Sequence, residues 1–138
     1  MTELSRGAVG YARRMSGLRH VRPAERVDAD PTPGMRREQA IASDGMWAGL
    51  TYTEPGMVSG WHHHGDYETS IYIATGALRM EHGPGGASVI DAGEGDFIHV
   101  PRGAIHRERN PTDRVSTLVV VRAGTGVPTI NVDGPEPA

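Results

Sequence analysis

The chain contains no cysteine and no lysine. The first absence excludes disulfide staples, a thiolate nucleophile and any Cys-ligated zinc or iron–sulfur site. The second excludes catalysis through a lysine Schiff base. The arginines are scattered or paired and form no basic stripe, and a net charge of −3 with a pI near 6.1 points away from nucleic acid as a partner. No apolar run approaches the roughly 20 residues that span a bilayer, and the first residues, with Arg6, Arg13 and Arg14, lack an apolar signal core. A soluble, cytoplasmic protein without a membrane partner is therefore expected. There is no G-x-S-x-G elbow, no Walker A loop and no dinucleotide fingerprint, because Gly93-Glu94-Gly95 lacks the third glycine and precedes a strand.

What remains is a chain of 138 residues rich in turn formers, with 19 Gly and 10 Pro, a length that suits one domain. From Met35 onward short β-like runs alternate with Gly and Pro punctuation: MRREQAIAS, MWAGLTYTE, TSIYIAT, ALRMEH, ASVID, DFIHV and VSTLVVVRA. No stretch holds a helical period. Seven such runs, about ten residues apart, predict an all-β sandwich or barrel. Residues 1–34 have turn chemistry without apolar periodicity and read as an N-terminal arm or loop, 35–127 as the barrel, and the Pro-rich residues 128–138 as an extended, loosely attached tail.

The chemistry concentrates in histidine. On an extended strand His62 and His64 project to one face and His63 to the other, so two imidazoles one strand period apart can chelate a single ion. A third ligand has to come from elsewhere, and His106 follows the Pro101-Arg102-Gly103 turn that would bring it onto a neighbouring strand. Taken alone the triplet reads equally well as a solvated surface cluster. Neutral imidazoles discriminate poorly among first-row ions.

Two spaced patterns surround these histidines. Gly56, five residues, His62, one, His64, three, Glu68 and then Gly76 resembles the first motif of the cupin superfamily, and Gly95, five residues, Pro101, one, Gly103, two, His106, three, Asn110 resembles its second. The resemblance covers about residues 45–122. It implies a double-stranded β-helix, the jelly-roll barrel of small RmlC-like cupins, with a divalent metal held by His62, His64 and His106 near the barrel mouth. Fe or Mn is favoured, with Ni or Zn as alternatives. The motif also implies Glu68 as a fourth ligand, but seven residues rather than six separate it from Gly76, which puts Thr69 in that place. Alternation through Thr69, Ile71 and Ile73 turns Glu68 outward unless a bulge near Tyr67 restores it.

Other residues have weaker claims. Glu108, two residues past His106, shares its face and is a candidate pocket base or partner of the ligands, or else forms a surface ion pair. His63, His82 and His99 read as ordinary strand residues, Trp47, Tyr52 and Trp61 as core or cavity wall, and Asn110 as a turn-fixing side chain. The expected function is a metal-dependent enzyme acting on a small organic molecule, by dioxygenase chemistry or by Lewis-acid isomerisation, decarboxylation or lyase action. The alternative is a ligand-binding module without catalysis. Cupins of this size resemble homodimers, and no motif names a substrate.

Overall fold

The computed structural model describes residues 17–138 and contains eleven β-strands and one short 3-10 turn, Pro23–Glu25. The strands are β1 (Val27–Thr32), β2 (Met35–Ala42), β3 (Met46–Thr53), β4 (His62–His63), β5 (Glu68–Thr75), β6 (Ala77–His82), β7 (Ser88–Gly93), β8 (Phe97–Val100), β9 (His106–Arg109), β10 (Ser116–Ala123) and β11 (Ile130–Asn131). They form two antiparallel sheets. The larger runs β1-β2-β3-β10-β5-β8 and the smaller runs β11-β4-β9-β6-β7. Two such sheets packed face to face make the jelly-roll barrel.

Period-two alternation decides which side chains fill it. On β5 Thr69, Ile71 and Ile73 are buried, and on β10 Ser116, Leu118, Val120 and Arg122, while their neighbours lie nearer solvent. From the smaller sheet Leu78 and Met80 on β6 meet them, and Ile98 and Val100 close the apolar cluster from β8. The inward face changes character along the strands. It is aliphatic at Ile73, Leu118 and Leu78, and polar at Thr69, Arg122, His106 and Glu108. One end of the barrel is thus a hydrophobic core, and the other is a lined cavity.

A few contacts hold this arrangement in register. Gly76 joins β5 to β6 at φ +86°, and a Cβ there would strike Ser116, whose Oγ bridges the backbone N and O of Ala77. Asn110 is buried and fixes a turn as the sequence suggested. Its Nδ2 donates to Thr53 O (3.0 Å) and Arg114 O (2.7 Å), and its Oδ1 accepts from Thr112 N and Oγ1.

Two segments differ from expectation. Within the segment read as an arm, residues 27–32 form an edge strand paired to β2. Asp-rich VDADPT shows no alternation that would announce it, and its ladder is irregular between Ala29 and Thr32. Residues 1–16 of the arm lie outside the described residues. The tail read as loosely attached returns to its own barrel: Ile130 pairs with His63 and Asn131 with His62, Val132 N donates to Trp61 O, and Gly85 N to Glu136 O. Among the described residues no helix is long and apolar enough to cross a membrane.

Candidate metal centre

The smaller sheet carries the histidines. His62 on β4 and His106 on β9 are directly opposed partners in the ladder, and His64 lies just past the end of β4. All three rings are buried, with centroids 4.4–5.2 Å apart. Each ring is held from behind in the same way. His62 Nδ1 donates to Gly60 O (2.9 Å), His64 Nδ1 to Pro128 O (2.8 Å) and His106 Nδ1 to Ala104 O (2.9 Å). A carbonyl can only accept, so each Nδ1 carries the proton and each Nε2 keeps its lone pair, the tautomer a metal ligand needs.

Glu108 completes the cluster. It lies two residues beyond His106 on the same face of β9, fully enclosed, with Oε2 at 3.3 Å from His62 Nε2 and 3.5 Å from His106 Nε2. Four buried ligand atoms, one each from His62, His64, His106 and Glu108, lie within 4.8 Å of one another. Among the described residues His106 Nε2 makes no well-formed hydrogen bond, Glu108 Oε2 lying 3.5 Å away. A buried acceptor without a well-formed hydrogen bond, three fixed tautomers and an enclosed carboxylate fit a divalent cation, since leaving such groups unsatisfied is costly.

The electrostatics of the metal-free cluster agree. Burial alone would raise the Glu108 carboxyl, yet His106 and His62 hold it well below the ordinary range. Burial pulls the His62 imidazole down, but the hydrogen bond and charge of Glu108 outweigh it and leave it above its ordinary value. His64 has no such partner, and burial lowers it to about 4.

Glu68 is not brought to this cluster. It points to the outer face, where Oε1 lies 3.1 Å from His99 Nε2 and Oε2 3.8 Å from Arg102. Thr69 is the inward residue, 2% exposed, with its Oγ1 unpartnered. No bulge turns Glu68 in, because β5 keeps regular pairing with β10 from Ile73 to Glu68. The interior carboxylate comes from β9 instead. His63 faces away, its Nδ1 accepting from Gly65 N, and His82 sits across from His106 on β6, outside the ligand group. Of the aromatics, Trp47 packs against the core and lines the cavity, Tyr52 donates to Glu38, and Trp61 stacks under Arg107.

A cavity of about 680 Å³ opens beside the cluster, with His62, Tyr67, Trp47, Arg37 and Arg122 among its lining residues. A much smaller void of about 20 Å³ lies further in, between His64, Glu108, Thr69 and the same two arginines. Arg37 and Arg122 were not singled out from sequence. The signal was present for Arg122, which falls in phase with Ser116, Leu118 and Val120 on β10.

The family model described as "Cupin domain" matches residues 49–122, and the chain belongs to the cupin family. No curated protein matches it in sequence. Among solved structures it resembles KdgF from Halomonas sp. (18% identity, TM-score 0.67, covering 78% of this chain and 96% of that one). It also resembles the polyketide cyclase RemF from Streptomyces resistomycificus (19% identity, TM-score 0.70, 84% and 86%) and an RmlC-like cupin from Shewanella frigidimarina (16% identity, TM-score 0.65, 79% and 93%). At these identities the likeness is one of fold.

Proposed function

We propose that this cupin is a metal-dependent enzyme acting on a small organic molecule, with a divalent ion held by His62, His64, His106 and Glu108. The observation that carries the reading is the convergence of these four buried ligand atoms, with His62 on the wall of a cavity of about 680 Å³ and His64 and Glu108 on the small inner void that shares Arg37 and Arg122 with it. A purely structural site has its ligands closed around the ion, whereas a ligand set that borders a small-molecule cavity leaves a position for substrate. RemF, a cyclase by name, lends support by having the same fold.

When bound, the ion supplies Lewis acidity toward a substrate oxygen or a site for O₂. The chain's own residues do the rest. The carbonyls of Gly60, Pro128 and Ala104 hold the imidazoles in one orientation, with Nε2 turned toward the ligand cluster. Glu108 offsets part of the ion's charge, and Trp47 and Tyr67 wall the cavity. A mixed imidazole and carboxylate set suits Fe or Mn and admits Ni or Zn.

The test is elemental analysis of untagged protein, followed by oxygen uptake against diketones and catechols. Near-stoichiometric iron with oxygen consumption supports a dioxygenase, and Mn, Ni or Zn with turnover but no uptake supports isomerase, decarboxylase or lyase chemistry. Protein that takes up no metal, or binds metal and turns over nothing, overturns the reading in favour of a binding module.

A further inference from the structure

The two sheets contribute opposite charge to one space. The smaller sheet lines the larger cavity with His62 and the inner void with Glu108, and the larger sheet lines both with Arg37 from β2 and Arg122 from β10. Five other arginines, Arg26, Arg36, Arg79, Arg107 and Arg109, each rest on a carboxylate at 3.1 Å or less. Among the described residues Arg37 and Arg122 make no ion pair. Arg37 Nη1 is anchored to Asp30 O (3.1 Å) and Thr32 Oγ1 (2.8 Å), which aims the guanidinium without neutralising it. Arg122 is 8% exposed, its guanidinium lies 5.0 Å from the centre of the Trp47 ring, and its Nε has no hydrogen-bond partner.

A buried cation is costly unless it is paired, and two in one cavity repel each other. The acids near them are Asp30, exposed at the wall of the larger cavity, and the buried Glu108, whose Oε2 lies 3.3 Å from His62 Nε2 and 3.5 Å from His106 Nε2. A divalent ion at the ligand cluster would add two further positive charges to the same space. The missing partner is therefore an anion, and a planar guanidinium with parallel N–H donors matches a carboxylate.

We propose that the cavity is an organic-acid site, in which Arg122 and Arg37 receive the carboxylate of a small substrate and the opposite sheet meets a second oxygen of the same molecule. This rests on the metal-dependent reading above only for that second oxygen. Thr69, whose buried Oγ1 is unpartnered and lines the inner void between Arg122 and His64, is a further donor for the bound acid.

The test is isothermal titration of the full chain, metal-loaded and chelator-stripped, with malonate, succinate and 2-oxoglutarate, each beside its neutral diamide or diester at constant ionic strength. At least one acid is expected to bind, with its neutral counterpart at least ten-fold weaker. Arg122→Gln and Arg37→Gln are each expected to weaken the acid by ten-fold or more while metal per chain stays unchanged. Equal affinity for acid and neutral analogue, no binding of any acid, unchanged binding by both folded variants, or tighter binding of inorganic phosphate than of every acid would overturn the proposal. If a variant fails to fold, the acid-against-neutral comparison on the wild type still decides. Arginine-dependent acid binding by a protein that takes up no metal would sink the metal reading alone, and metal uptake without acid binding would sink this inference alone.

Discussion

Glu108→Gln keeps the shape of the side chain and removes its charge, which makes it the sharpest test of how the centre works. The Oε2 atom lies 3.3 Å from His62 Nε2 and 3.5 Å from His106 Nε2. Unit charges at that spacing attract by about 5 kcal/mol at an effective dielectric of about 20, and desolvation of the enclosed carboxylate cancels several kcal/mol of it. A surviving contribution of about 1–3 kcal/mol corresponds to roughly ten- to hundred-fold weaker metal binding, and a dication pulls the result toward the upper end. Competition with a chromogenic chelator measures that loss. The metal-free protein offers a second readout by NMR titration. With Glu108 neutral, burial is left to act on His62 largely unopposed, so its imidazole should titrate below the ordinary value instead of above it. Unchanged metal affinity together with an unchanged His62 titration would refute the argument that Glu108 is the carboxylate of the centre.

Three further predictions follow the same geometry. His63→Ala and Glu68→Ala should each leave metal per chain at the wild-type level by elemental analysis, since neither side chain faces the ligand cluster, whereas His106→Ala should lose most of the metal. Asn110→Ala strands Thr53 O and Arg114 O and should cost about 2–4 kcal/mol in urea unfolding, with metal-loaded and stripped protein compared at matched conditions. Metal affinity should rise with pH through the titration of His62. Its pKa is raised in the metal-free fold, so below that value a proton occupies the site, and ligation must release it. Calorimetry of metal binding in buffers of different ionisation enthalpy measures that proton, while His64, neutral down to about pH 4, should contribute almost none at neutral pH.

The histidines were legible because a strand period and two turns fix where they point, and the structure brings His62, His64 and His106 together. The carboxylate was harder. Glu68 stands at the motif's position when counted from His64 and Thr69 when counted from Gly76, and one residue on a strand reverses the face. The regular pairing of β5 with β10 leaves Glu68 outside. Glu108 was noticed for its two-residue offset from His106, but its closeness to His62 depends on the β4–β9 pairing, which spacing alone does not reveal. Strands β4 and β11 span two residues each, too short to leave a pattern, and β1 contains Pro31 and two aspartates where alternation would be sought. The pairing of β11 is a long-range event between residues 130–131 and 62–63, and no local signal encodes it.

The tail that closes on β4 also bears on how the barrel could be re-engineered. The matched domain ends at residue 122, yet Pro128 O orients His64, and Arg37, from before residue 49, supplies half of the cavity's positive charge. In an excised 49–122 segment His64 would lose its backstop, His62 its ladder partner Asn131 and the cavity one of its cations. The tail is thus part of the metal site and not an accessory to it: removal of residues 128–138 should be felt at His64 and His62 before it reaches His106 or Glu108.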